Sequence, residues 1–150
     1  MRYPRQAQAS GSLLACELRA AFADRPPTTT PMPVTTQALA GEYQLLNYRI
    51  DRQISRGGFS IVYRAFDETG VPVAIKEYLP RELAGRGTDR ATVAPHSSDD
   101  GDAFRYGMGQ FLTEARTLAR LDHPNIVRVL QVFEANGTAY LVMEFYHGLT

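Results

Sequence analysis

The stretch VPVAIKEYLP, Val71 to Pro80, is an apolar run with a single lysine at its centre. Of the 16 Lys plus Arg residues in the chain, 15 are Arg, and Lys76 is the only lysine. Val71 to Tyr78 carries the β-branched and aromatic side chains of a strand. Pro72 has no N–H, so it belongs near the strand's start or with its missing donor facing outward. Alternation puts Lys76 on one face with Ala74 and Tyr78, and Val73, Ile75 and Glu77 on the other. A lysine in the middle of a core strand is costly unless it is paired.

Working outward, YRIDRQI (Tyr48 to Ile54) alternates, with Tyr48, Ile50, Arg52 and Ile54 on one face of a half-buried strand. SRGG then turns the chain. FSIVYRAFD (Phe59 to Asp67) reads as a second strand, and ETG (Glu68 to Gly70) as the hairpin turn before the third. Leu79 to Gly109 contains Pro80, Gly85, Gly87, Pro95 and the acidic SSDDGD. Loops of that length are uncommon in compact domains, so this part is expected to be an insertion holding short helical turns. Asp99, Asp100 and Asp102 lack the spacing of a calcium loop and read as a solvated charge run.

Gln110 to Leu121 has the period of a long helix, with Phe111, Leu112, Ala115, Leu118 and Ala119 as its apolar stripe. Pro124 ends it by disfavouring helix at His123. IVRVLQVF (Ile126 to Phe133) is a fourth strand and TAYLVMEFY (Thr138 to Tyr146) a fifth, joined by the ANG turn at Ala135 to Gly137. The order β-β-β-α-β-β with tight hairpins predicts an α+β fold, a five-stranded antiparallel sheet with one helix on it. Glu114 lies on the helix's apolar face, three residues after Phe111 and four before Leu118. Packing that face on the sheet would make Lys76 its natural partner. Two exposed or snorkelling charges fit the spacing equally well.

With 150 residues, 44% of them apolar, the chain can bury one core. Sixteen acids balance sixteen bases, so no field points to nucleic acid or a membrane surface. A lone cysteine, Cys16, excludes an internal disulfide and suits a reducing, cytoplasmic compartment. No apolar stretch spans a bilayer. Glu17 and Arg19 interrupt SLLACELRAAF (Ser12 to Phe22), which argues against a signal peptide. It fits a short amphipathic helix or a frayed tail. RPPTTTPMPVTT (Arg25 to Thr36) has four prolines and five threonines and reads as an extended linker. Residues 1–40 are therefore expected to form a tail and residues 41–150 the folded domain.

Between the first two strands, ISRGGFSIV (Ile54 to Val62) sets adjacent glycines between β-type flanks. An ordinary glycine hairpin explains it, and so does a phosphate-covering loop whose small residues let N–H groups approach an anion. A dinucleotide fingerprint needs a helix after the glycines, and a strand follows here. A Walker loop needs Gly-Lys-Ser/Thr, which is missing.

Taken in order, GGFSIVY, VAIK, FLTEARTLARLDHPNIVRV and TAYLVMEFYHG resemble the amino-terminal lobe of a eukaryotic-like protein kinase over residues 43–150. The wording VAIKEYLP followed by an insertion, with NGTAYLVMEF, is similar to bacterial Ser/Thr kinases of proteobacterial type. The resemblance implies that Lys76 holds the α- and β-phosphates of ATP and pairs with Glu114 on a regulatory helix. It implies that Arg56, Gly57, Gly58, Phe59 and Ser60, with Ser55 at the loop's start, cover the phosphates. Ile54, Val62 and Ala74 would line the adenine pocket, with Met143 as gatekeeper. Main-chain groups of Glu144 and Tyr146 would meet the adenine edge, and Leu118 would anchor the helix.

Two departures stand out. The family's G-x-G-x-x-G is here Ser55-Arg56-Gly57-Gly58-Phe59-Ser60, with only the middle glycine kept. The other is that no HRD, DFG or APE follows, and no aspartate occurs after Asp122. The resemblance therefore implies the ATP-binding lobe of a Ser/Thr kinase that would use Mg2+ held by residues outside this stretch, with an unidentified protein substrate. The carboxy-terminal lobe would be missing and the chain alone inactive. The other expectations are a catalytically inactive nucleotide-binding or kinase-partner module, and a non-functional gene fragment. Membrane attachment of a parent kinase would depend on sequence beyond Thr150.

Overall fold

A computed structural model describes residues 37–147. The expectations for the tail, including the Ser12–Phe22 helix and the Arg25–Thr36 linker, fall on residues 1–36 and lie outside the described residues. The chain forms β1 (Gln44–Leu45), β2 (Tyr48–Arg56), β3 (Ser60–Phe66), β4 (Pro72–Tyr78), β5 (Ala84–Arg86), β6 (Val93–Pro95), helix α1 (Ser98–Ala119), β7 (Val129–Ala135) and β8 (Thr138–Glu144). The main sheet is antiparallel in the order β1-β2-β3-β4-β8-β7, and β5 and β6 form a separate two-stranded sheet. Helix α1 packs against β7 and β8.

All five expected strands form, but the main sheet has six. The extra strand, β1, is two residues long. Glu42 and Leu46 reverse the chain at φ of 68° and 52°, which buries Leu45. Two residues are too few to show a period. The alternation expected along Tyr48, Ile50, Arg52 and Ile54 also breaks. Tyr48 and Ile50 are buried, whereas Arg52 is exposed. The register with β3 shifts between Ile50 and Arg52 and again between Gln53 and Ser55. Each bulge adds one residue and turns the following side chain to the other face. Strand β7 begins three residues later than expected, after a turn in which Ile126 N–H donates to the His123 carbonyl at 3.0 Å.

The largest correction concerns the helix. It runs 22 residues from Ser98, not from Gln110. Gly101, Gly107 and Gly109 lower the helix propensity of its stretch from Ser98 to Gly109. The cap and the packing override them. Ser97 caps the N-terminus by accepting from Asp100 N–H at 3.3 Å. Asp99 and Asp100 occupy the first turn, where negative charge complements the helix dipole. The acidic run is therefore the start of the helix. Phe104 and Phe111 close on the Tyr78 ring, with centroids at 5.3 and 5.7 Å. Of the expected stripe, Phe111, Leu112 and Ala115 are buried and Leu118 is partly so, while Ala119 is exposed.

Strand β4 lies between β3 and β8 and is buried on both faces. Its outer face is covered by residues 37–40 and by the β5–β6 sheet. Residues 37–40, placed with the tail by sequence, join the packed unit: Leu39 is 3% exposed and its N–H donates to the Tyr63 hydroxyl at 3.0 Å. The β7–β8 turn abuts β6, with Val93 N–H donating to the Asn136 carbonyl at 2.7 Å. Gly137 is required there twice over. Its φ is +72°, and an added Cβ would come within 2.6 Å of the Val93 carbonyl oxygen.

Glycines in α1 should respond in opposite ways to alanine. A Cβ at Gly107 would collide with the buried Tyr78 hydroxyl and ring, whereas one at Gly109 meets nothing within 4 Å. Gly107→Ala is expected to destabilise by about 1–3 kcal/mol through overpacking. Gly109→Ala is expected to stabilise by about 0.4–1 kcal/mol by restricting the unfolded chain. Urea unfolding of both variants checks the contrast.

Candidate functional site

The β-ladder decides which side chains share a face with Lys76. Val62 lies opposite Lys76 across β3–β4, and Leu141 lies opposite Lys76 across β4–β8. Ala74 faces Met143 one step along. Partners in an antiparallel ladder point to the same side. Val62, Ala74, Lys76 and Met143 therefore form one contiguous patch, and the lysine at its centre is 2% exposed. Ile54 sits half-buried at the second β2 bulge, beside Ser55, which pairs with Val62.

Tyr78 is the next side chain along β4 on the Lys76 face. Its hydroxyl donates to the Phe104 carbonyl at 3.1 Å. The helix face that meets Tyr78 through Phe104 and Phe111 continues one turn to Glu114, which is half-buried. Charge on the strand and charge on the helix thus belong to the two surfaces that pack together.

The glycine turn lies at the end of the same β2–β3 hairpin. Gly57 N–H donates to the Ser60 carbonyl at 2.9 Å, closing the turn. Ser60 is buried, and Phe59 is 68% exposed at the tip. A Cβ at Gly58 would meet open space, so the fold itself leaves room beside that backbone. At the far end of β8, Glu144 N–H donates to the Arg128 carbonyl at 3.0 Å, and the Tyr146 hydroxyl donates to the Glu144 carboxylate.

A family description, the protein kinase domain, matches residues 48–150. The chain belongs to the protein kinase domain family. It is 38% identical over 103 residues to a probable serine/threonine-protein kinase, pknA2, of Bifidobacterium longum, an alignment covering 68% of this chain and 12% of that protein. It is 33% identical to a probable serine/threonine-protein kinase, PknB, of Lactococcus lactis, covering 69% of this chain and 14% of the relative. Among solved structures, the apo form of PpkA-294 superposes with a TM-score of 0.71 at 40% identity, covering 74% of this chain and 40% of that one. The kinase lobe described here thus spans a small part of the curated relatives it matches.

The kinase lobe also carries a cluster that sequence reading passed over. On the outer face of β4, directly behind Lys76, Glu77 is 0% exposed. Its carboxylate accepts from the Arg86 guanidinium, from the Tyr63 hydroxyl at 3.4 Å and from the Tyr140 hydroxyl. Arg86 in turn donates through Nε to the Gln37 carbonyl at 2.6 Å and through a terminal nitrogen to the Ala91 carbonyl at 2.5 Å. Asn136 donates its amide to Tyr140 at 3.0 Å. Burial pushes the Glu77 carboxyl above its ordinary value, while Arg86 and the hydroxyls pull against it. Burial, and then the nearby Glu77 charge, push both tyrosine hydroxyls up, so they remain protonated donors. The signal was available: Glu77 alternates with Val73 and Ile75, so it had to be buried with them. Its partner, Arg86, was hidden in a stretch without a period.

A cleft of about 700 Å³ opens on this outer face, lined in part by Gln37, Asp51, Arg52, Arg86 and Arg90. None of the residues expected at a nucleotide lines it. Among the described residues, no group of three or more His, Cys, Asp or Glu could hold a metal ion. No helix among them is long and apolar enough to cross a membrane.

Breaking the outer cluster from one side should leave a buried charge without its partner. Glu77→Gln and Arg86→Ala are each expected to lose about 3–5 kcal/mol of folding free energy. Removing both charges together, as Glu77→Leu with Arg86→Met, should recover at least half of the summed loss. Thermal unfolding of the three variants measures the coupling.

Proposed function

We propose that this chain is the ATP-binding lobe of a protein Ser/Thr kinase. The observation that carries the reading is a lysine ammonium, almost fully buried, set among Val62, Ala74 and Met143 on one sheet face at the end of which a glycine turn closes. An apolar patch accepts a flat base, and a buried cation suits the phosphates attached to it. The room beside Gly58 fits close approach of an anion to backbone N–H groups.

In this reading Lys76 meets the α- and β-phosphates, and Glu114 orients its ammonium from the helix. Ser55 to Ser60 cover the phosphates. Ile54, Val62 and Ala74 enclose the adenine, and Met143 limits the pocket's depth. Glu144 N–H is engaged by Arg128, so its part at the adenine edge falls to the carbonyl. The Tyr146 main chain supplies the neighbouring contact. The reaction of the whole kinase joins a protein hydroxyl oxygen to the γ-phosphorus as the bond to the β-phosphate oxygen breaks and ADP leaves. Mg2+ supplies charge neutralisation in that chemistry, and the described residues offer no group to hold it. No step is assigned to it within this lobe.

The test is titration of ATP into the purified chain. Lys76→Met is expected to weaken ATP binding about tenfold or more, the scale of a lost charge-assisted hydrogen bond. A folded wild-type chain with no binding at millimolar ATP would sink the reading. In a full-length kinase carrying this lobe, Lys76→Arg should also impair phosphorylation, because a planar guanidinium does not reproduce a compact ammonium.

A further inference from the structure

The ladder between β3 and β4 does not stop at its last strand pair, Ser60 opposite Tyr78. Leu79 N–H donates to the Phe59 carbonyl at 2.8 Å, and Arg81 N–H donates to the Gly58 carbonyl at 3.0 Å. The tip of the glycine loop is therefore tied to the segment that follows Lys76. With its Phe59 side chain 68% exposed, the tip is held by main-chain bonds, these two and the Gly57–Ser60 bond that closes the turn. A trans peptide directs its C=O and the next N–H to opposite sides. Tying the Gly58 and Phe59 carbonyls thus turns the Phe59 and Ser60 N–H groups away from the Leu79–Arg81 segment.

The tie is itself anchored. Leu83 and Ala84 N–H both donate to the Pro80 carbonyl, at 3.0 and 2.9 Å, so Arg81 is the second residue of a tight turn. His96 Nε2 hydrogen-bonds the Arg81 carbonyl at 2.9 Å, and His96 N–H donates to the Leu83 carbonyl at 2.8 Å. Three residues beyond Leu83, Arg86 is locked to Glu77. The inserted segment thus follows directly on β4, closes on itself through His96 and is tied back to β4 at Arg86.

We propose that the Leu79–Pro95 segment positions the phosphate-covering loop, with the main-chain N–H groups of Leu79 and Arg81 as the positioning contacts that set preference for a polyphosphate over a bare nucleoside. The proposal rests on the kinase-lobe reading above. A merely structural role would lower affinity for ATP and adenosine together. A positioning role at the loop acts on the phosphate end alone.

Arg81→Pro removes one N–H at a turn position that proline favours. Calorimetric titration of the 150-residue chain is expected to show ATP affinity about five- to tenfold weaker, the scale of one hydrogen bond. Adenosine affinity should stay within about twofold, below the scale of one hydrogen bond. An unchanged ratio of ATP to adenosine affinity overturns the proposal. So does an equal loss in Arg81→Ala, which keeps the N–H and would put the effect in the guanidinium. Wild-type binding with an unaltered Arg81→Pro removes this inference alone, whereas a wild-type chain that binds no ATP removes the kinase-lobe reading and this inference with it. Amide exchange in the wild-type chain is independent of any variant: the Arg81 amide should exchange more slowly than that of exposed Glu82, and equal rates overturn the tie.

Discussion

Strand β4 is buried on both faces and carries a charge on each, Lys76 inward and Glu77 outward. Neither charge could be held there without partners, because a lone buried ion costs several kcal/mol even after relaxation. The outer charge is met by Arg86, by two tyrosine hydroxyls and, through Arg86, by the main chain at Gln37 and Ala91. That single requirement draws together β3, β4, β8, the inserted segment and the stretch at residues 37–40. It also places these contacts behind the strand, at the residue next to the lysine proposed to meet phosphate. A buried ion pair is weak support for stability in general. Here its placement matters more than its strength, since it links a surface insertion to the middle of the sheet.

Helix α1 shows how local preference yields to packing. Three glycines make its stretch from Ser98 to Gly109 look like loop. The Ser97 cap, the acids in the first turn and two phenylalanines on Tyr78 outweigh that preference. One glycine is useful where it stands, because Gly107 lets the helix approach the Tyr78 hydroxyl. The acidic run that looked like a solvated patch gained a structural meaning from the same fact.

Most of the fold was legible. The five long strands, their antiparallel pairing and the helix on them follow from period and turn chemistry. The family followed from motif order and is borne out by the match over residues 48–150. What period could not show were elements too short to have one: β1, β5, β6 and the two β2 bulges. On the side of the site, alternation correctly grouped Ala74 with Lys76. Cross-strand register then added Val62, Leu141 and Met143, which spacing within one strand cannot do.

The sequence by itself determined that Lys76 would stand in the middle of an apolar strand, that Glu114 would share a helix face with Phe111 and Leu118, and that a glycine turn would precede both. Those facts depend on contacts within a few residues, where backbone geometry fixes direction. Only the tertiary structure decided that Arg86 meets Glu77, that residues 37–40 close over Tyr63, and that Leu79 and Arg81 hold the tip of the glycine loop. Each of these joins segments with no common period, and each forms because buried polar groups must find partners wherever the chain brings them.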